Sequence, residues 1–361
     1  KPIYQEKQMD LFASSENESE STTSLQDFSS TKPEYKLIQT REEHLNFINE
    51  LTSKDAVAFD TETTSLEIEK AKLLGISFSF IKKTAYYCDV SKDETIIELY
   101  KEFFLSKTIK IAHNLKYDYG ILFKYGIKIN EFCFDTMIAH YLIDPEKRHN
   151  LDQLSRTILN YDPIPIESLI GSKTKPTKKM EEVEIDLLKN YAAEDADLTF
   201  QLYLKFSKEL KNLDLEHLFY NIEIPLLRVL HDMERQGIKI NTESLRNFSE
   251  ELNISLSHLK QSIFRLSETE FNIDSPKQLG EVIFGKLNLD EKAKKTKTGQ
   301  YKTDEATLHK LNGVHPIIAD ILNYRTRKKL LSTYVDALPK LISPVTNKIH
   351  TNYMQAVTST G

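Results

Sequence analysis

The sequence predicts an α/β domain followed by a nearly all-helical part, and three observations carry that expectation. Between residues 36 and 212, runs such as "AVAFDTET", "LLGISFSFI" and "TAYYCDV" read as strands and are mixed with segments of helical period. From 213 to 343 apolar residues recur at helical spacing almost throughout, over many turns in "TESLRNFSEELNISLSHLKQSIFRLSETE". Residues 1–35, by contrast, are rich in Ser, Thr, Glu and Gln with few, aperiodic apolar positions, and read as a flexible linker that cannot bury enough surface to fold alone.

The elements follow in order. Thr40 with Glu43 forms a capping box for a helix through Leu51. "AVAFDTET" and the two alternating runs after it form a meander. Ser91 with Glu94 is expected to cap "TIIELYKEFFL". A short strand, "IKIAHN", leads to a helix from "YDYGILFKYG" that Gly126 closes. "FCFDTMIAHYLID" is a strand running into a helix, and "NLDQLSRTIL" is helical. The Lys-rich "GSKTKPTKKMEEVEID" reads as a mobile surface loop, or alternatively as a loop that helps hold a polyanion, before the long helix "DLLKNYAAEDADLTFQLYLKFSKEL". In the second part, Gly237 stops a helix, Ser275 and Pro276 start another, and "EKAKKTKTGQYKTDE" is a basic loop. Residues 344–361 read as a turn and a strand.

The 361 residues, 40% hydrophobic, suffice for two or three domains. A formal net charge of -6 excludes a uniformly basic nucleic-acid binder but leaves room for local basic patches. Cys88 and Cys133 fit neither a zinc site nor a disulfide framework, which favours a reducing cytoplasm. No apolar run has membrane-spanning length. The chain starts at Lys1 without Met and stops at "AVTSTG", which reads as an internal piece of a longer polypeptide.

Acids carry the chemistry. Asp60 and Glu62, at i and i+2 of a strand, point to one face with Ala58, while Val57, Phe59 and Thr61 point to the other. Alone, the pair reads better as a polar strand-end turn than as a site. Asp118 lies at a strand-to-helix junction after His113 and Asn114, where a carboxylate also serves backbone N–H groups. Tyr191 and Asp195, at i and i+4, share a helix face, and Asp197 points elsewhere as an ordinary acid. The four acids Asp60, Glu62, Asp118 and Asp195, from three segments, form a stronger signal together. Hard divalent cations take carboxylate ligands, and two ions roughly 4 Å apart can flank a phosphodiester. No nucleophile triad, Walker loop or dinucleotide-binding glycine motif competes.

In order, "FDTETTSL", "HNLKYD" and "YAAED" resemble the three motifs of the proofreading exonuclease of bacterial family A DNA polymerases, in their large, Klenow-type fragment. "IEIPLLRVLHDMERQGIKI", "FNIDSPKQLGEVIF", "YRTRKKLLSTYVDALPKLI" and "IHTNYMQAVTSTG" resemble the thumb and first palm strand of the same enzymes. The resemblance spans roughly residues 36–361. It implies a ribonuclease H-like exonuclease domain over 36–212, a thumb over 213–343 and the first strand of a truncated palm over 344–361.

It further implies metal ligands at Asp60, Glu62 and Asp195, a second ion held by Asp118 through water, and a nucleophile oriented by Tyr191. Leu66 matches a wedge against the terminal base, and Asn114 and Arg148 match contacts to the single-stranded 3′ end. Two divalent cations are implied, Mg²⁺ with Mn²⁺ or Zn²⁺ as alternatives in one site. The implied partner is DNA: a single-stranded 3′ end in the exonuclease site and duplex along the thumb. There Lys292, Lys294, Lys295, Lys297 and Lys302 surround Gly299, with Arg325 and Lys329 on the flanking helix. The implied setting is a monomer off the membrane, in the bacterial cytoplasm at the nucleoid, acting in replication and repair. The polymerase acids of the family lie beyond Gly361, so this piece is expected not to extend a primer. His113 and Ile166 depart from the family pattern, which touches substrate affinity rather than chemistry. The competing readings are an exonuclease fold that holds DNA without cutting it, and a ribonuclease of the same superfamily.

Overall fold

Strand β2 (Ala56–Thr63) organises the larger part of the molecule, because its alternation gives the sheet two chemically different faces. The computed structural model describes residues 25–172 and 174–358, which fall into two units, one reaching His231 and including Met354 onward, the other Asp232–Tyr353. In the first unit β1 (Glu34–Ile38), β3 (Leu73–Ile81), β4 (Thr84–Asp89), β5 (Ile109–Ala112) and β6 (Cys133–Asp135) join β2 in one six-stranded sheet ordered β1-β4-β3-β2-β5-β6. The meander β2-β3-β4 is antiparallel, and β1, β5 and β6 add in parallel.

Val57 and Phe59 face one side with Phe78, where Phe47 and Phe104 pack edge-on or tilted against them. Those rings come from the helix Arg41–Thr52 and the segment Glu94–Leu105. The other face carries Ala58, Gly75 and Ser77, and the 28-residue helix Ile185–Asn212 lies on it. Small residues on both sides, with Ala192, Ala193 and Ala196 fully buried on the helix, permit that close approach. Asp60 and Glu62 are on this face, under the helix that brings Asp195.

Several expectations change. The Thr40–Glu43 capping box forms, with Glu43 Oε2 accepting from Thr40 N at 2.9 Å. The Ser91–Glu94 cap does not: Asp93 is the N-cap, accepting from Thr95 N at 3.0 Å, and the segment starts as a 3₁₀ helix. A carboxylate one residue from the helix outcompetes a serine hydroxyl, and Asp89 takes the Ser91 N–H and hydroxyl instead. The described part of the expected linker 1–35 is structured: Gln26 bridges to Tyr161, Asp27 caps the turn Phe28–Thr31, and the Phe28 ring lies 5.7 Å from that of Tyr35. Residues 1–24 of that segment lie outside the described residues. Residues 213–231, expected in the helical part, send Phe219, Ile224 and Leu227 into the core of the first unit. The tail from 344 forms no strand among the described residues; Ile349 makes one antiparallel bridge to Ile238, too little to hold an extended ladder.

The second unit is helical. The helices Thr242–Ser267 and Pro316–Lys329 pack together through Leu252, Leu256, Ile317 and Ile321. Ser275 caps the helix that begins at Pro276, as its sequence dictates. The basic loop is a small hairpin: Lys295 bridges Tyr301, Lys302 N donates to Lys294 O at 2.9 Å, and Gly299 turns the chain at φ 81°. Among the described residues no helix is long and apolar enough to cross a membrane.

Candidate active site

Asp60 and Glu62 project from β2, and the long helix places Asp195 over them. The three offer ligand oxygens all within 4.8 Å of one another. Glu62 is buried, while Asp60 and Asp195 keep an edge open to solvent. No hydrogen bond from a described residue reaches any of these three carboxylates, although buried polar groups are nearly always paired. Enclosure pushes Asp60 up to about 7. It also holds Glu62 and Asp195 well above the carboxylate range, with the Asp60 charge adding to both. Three crowded carboxylates without donors fit a cation in a way that three hydrogen-bonded ones would not.

Asp118 lies outside that set of three. It hangs from the helix Leu115–Lys124, 2% exposed, and its Oδ1 is taken by Thr61: the Thr61 N–H donates at 3.0 Å and its hydroxyl at 2.6 Å. Burial raises its pKa well above the usual range, and the Asp60 charge adds to this. Thr61, between Asp60 and Glu62 but facing the other side of the strand, therefore fixes the fourth acid. Tyr191 stands one turn before Asp195, whose charge, with burial, keeps its phenol from ionising.

The start of the Asp118 helix is secured from elsewhere. Asn114, at φ 67° and ψ 48°, occupies the N-cap but caps nothing with its side chain. Asp135, at the end of β6, accepts from Leu115 N at 2.8 Å and Asn114 N at 3.3 Å, while capping its own helix through Met137 N at 2.8 Å and Ile138 N at 3.2 Å. One carboxylate thus serves two helix starts and leaves the exposed Asn114 amide free. The His113 ring meets Thr136 Oγ1 at 2.8 Å.

The other positions singled out from sequence are placed as follows. Leu66 is 88% exposed. Its segment is held by Tyr117, whose hydroxyl reaches Thr63 Oγ1 at 2.6 Å and donates to Ser65 O at 2.9 Å. Arg148 is exposed and Ile166 is half-buried. Asp197 is not the ordinary acid expected: it is 2% exposed and accepts from Tyr35 Oη at 3.0 Å, Lys83 N at 2.9 Å and Gln201 Nε2 at 3.0 Å. In the second unit Lys292, Lys294, Lys295, Lys297, Lys302 and Lys329 are exposed. Arg325 is half-buried and donates to the Thr303 carbonyl, which braces the base of the hairpin.

Residues 35–211 match the 3′-5′ exonuclease family and residues 242–361 match DNA polymerase family A. This chain belongs to the family A DNA polymerases. Its first unit carries the 3′-5′ exonuclease domain of that family. DNA polymerase I of Borreliella burgdorferi is 35% identical over 352 residues, covering 94% of this chain and 38% of that protein. DNA polymerase I of Chloroflexus aurantiacus is 37% identical over 330 residues, covering 88% of this chain and 35% of that protein. The chain therefore spans little more than a third of the length of these relatives. A solved complex described as the POL domain of Pol1 from M. smegmatis with DNA primer-template and dNTP shares the fold, with TM-score 0.73 and 23% identity over 90% of this chain and 53% of that one.

Thr61 and Asp135 were not legible as parts of the site. The Asp-Thr step at residues 135 and 136 does signal a helix start, but nothing in the linear sequence shows that its carboxylate also serves Leu115.

Proposed function

We propose that the first unit hydrolyses 3′-terminal nucleotides from DNA, as the proofreading exonuclease of a longer DNA-directed DNA polymerase working in replication and repair. The observation that carries this is the convergence of Asp60, Glu62 and Asp195, buried or half-buried and without donors, in a chain of this family. They would hold divalent cations, Mg²⁺ with Mn²⁺ or Zn²⁺ as alternatives at one position, and Asp118 would serve the second ion through water. When bound, the cations supply Lewis-acid polarisation of the phosphodiester and a water acidic enough to attack it.

The residues of the chain do the rest. Tyr191 keeps its proton beside Asp195, so it serves as a neutral phenol that aligns the attacking water rather than as a base. Thr61 holds one Asp118 oxygen and leaves the other directed by that grip. Exposed Leu66 wedges the terminal base, and Asn114 and Arg148 hold the single strand behind it. Lys294, Lys295 and Lys297 of the second unit contact duplex phosphates, which gives salt-sensitive affinity without sequence choice. Lys329 adds to that contact; Arg325 acts by bracing the hairpin. The setting consistent with these roles is a monomer in the bacterial cytoplasm, at the nucleoid.

A labelled single-stranded DNA incubated with the protein and Mg²⁺ is shortened from its 3′ end, and Asp60→Ala abolishes the shortening. No cleavage with either Mg²⁺ or Mn²⁺ would establish instead a DNA-holding module without catalysis. Preferential cleavage of a parallel RNA strand would assign a ribonuclease.

A further inference from the structure

The acid face of the sheet holds a buried hydroxyl that the proposed reaction does not use. Across β2, β3 and β4 the register sets two rows on that face, Asp60–Ser77–Tyr87 and Glu62–Gly75–Asp89. Gly75, in the middle of the second row, has no side chain, and the Tyr87 ring folds into the space: a Cβ on Gly75 would fall inside the phenol. The fold thereby carries a hydroxyl from β4 across β3 toward β2. Side chains directly opposite on antiparallel strands start about 4.5–5.5 Å apart, so a phenol lying over Gly75 is beside Glu62.

The Tyr87 hydroxyl is wholly buried and has no hydrogen-bond partner among the described residues. The Glu62 carboxylate receives no hydrogen bond from a described residue either. Asp89, the other acid of that row, is already served, by Ser91 N at 3.0 Å, Ser91 Oγ at 2.6 Å and Gln39 Nε2 at 3.2 Å. Burial keeps the phenol from ionising, and of the nearby charges Glu62 adds most, ahead of Asp89. Leu169, Leu188 and Ala192 pack with the ring in one apolar cluster.

A buried donor without a partner, lying beside a carboxylate that receives no hydrogen bond, calls for a state of the protein in which it is paired. We propose that Tyr87 is a positioning residue for Glu62: its hydroxyl donates to the carboxylate when Glu62 takes up a divalent cation, fixing the orientation in which Glu62 presents its ligand oxygen. Gly75 belongs to the same device, since any side chain there would evict the phenol. The proposal rests on reading Asp60, Glu62 and Asp195 as a metal centre. Outer hydrogen bonds to ligating carboxylates are worth about 10–100-fold in metal affinity, which sets the expected effect.

The test uses Mn²⁺ binding to the DNA-free protein, read by electron paramagnetic resonance or calorimetry, with unfolding temperatures measured with and without Mn²⁺. Tyr87→Phe keeps the ring and removes the hydroxyl. It is expected to bind Mn²⁺ about 10–100-fold more weakly. Its metal-free unfolding temperature should be equal or higher, and its Mn²⁺-induced rise smaller. A hydroxyl with only a packing role would do the reverse, lowering metal-free stability at unchanged Mn²⁺ affinity, and that result overturns the proposal. Gly75→Ala keeps the hydroxyl but displaces the ring, and it decides the matter should Tyr87→Phe not fold: weaker Mn²⁺ binding supports the device, and unchanged binding overturns it. Wild-type protein that binds no Mn²⁺ refutes the metal centre itself. Wild type that binds, with Tyr87→Phe binding equally well, refutes only the role of Tyr87.

Discussion

Two sides of the helix Ile185–Asn212 bury acids, and the acids live differently. Toward Asp60 and Glu62, Asp195 meets two like charges and no donor. One residue away, Glu194 accepts from Tyr161 Oη at 2.5 Å and Ile164 N at 2.6 Å. Asp197 collects three donors, from Tyr35, Lys83 and Gln201. All three are conspicuous in the sequence as "AEDAD". Burial alone therefore does not mark a functional acid. On this helix the buried acids with their donors supplied hold the fold together, whereas Asp195 belongs to a cluster left without donors and suited to a cation.

Substitutions on the two sides should have opposite consequences. Asp60→Ala is expected to lower the exonuclease rate by on the order of 10²–10³-fold or more, without lowering the stability of the metal-free protein. Single-turnover digestion and thermal unfolding measure both; a clear loss of metal-free stability would erase the distinction between the two sides. The lysine hairpin provides the next largest effect. Lys294→Ala, Lys295→Ala and Lys297→Ala together should weaken duplex binding at every sequence. Each lysine that reaches a phosphate should reduce the slope of log affinity against log salt by about 0.9. A slope equal to that of wild type would remove the hairpin from the DNA contact.

On the satisfied side, Asp197→Ala strands the Tyr35 hydroxyl and the Lys83 N–H, and should cost about 1–3 kcal/mol of stability. The cleavage rate of folded molecules should be unchanged, and chemical denaturation beside a rate measurement would show it. The smallest effect concerns the histidines behind Asn114. His140 Nδ1 meets His149 Nδ1 at 2.8 Å. Burial pulls His140 down to about 4 and His113 to about 3, from an ordinary value of 6.5. Between those values and 6.5 the unfolded chain binds more protons than the folded one, so these groups reduce stability as pH falls below 6.5. His149, which burial also lowers, works in the same direction. Asp144 opposes the shift at His140 and His149, while Lys147 adds to it at His140. His140→Gln should lose less stability than wild type between pH 7 and pH 4.5; an equal or steeper loss in unfolding experiments would exclude this origin.

Much of the fold was legible because it is local. The alternation of "AVAFDTET" set which residues face which side of β2, and the Thr40–Glu43 and Ser275–Pro276 signals started helices where they occur. Failures came where a nearby stronger partner or a distant one decided. Asp93 displaced the Ser91 cap because its carboxylate was the better acceptor in reach. Gln26 was anchored by Asn160 and Asp162, far along the chain. Arg325, expected along duplex phosphates, has a further partner in the Thr303 carbonyl that its sequence does not show.

The sequence by itself determined the acids, their pairing at i and i+2 on one strand face and the Tyr191–Asp195 step on one helix face, because strand and helix periods are properties of the local backbone. Only the tertiary structure decided which acids are left without donors. That depends on what crosses over from other elements: Thr61 onto Asp118, Asp135 onto Leu115, Tyr35 onto Asp197. Hydrogen-bond satisfaction is a property of neighbours in space, and no spacing along the chain records it.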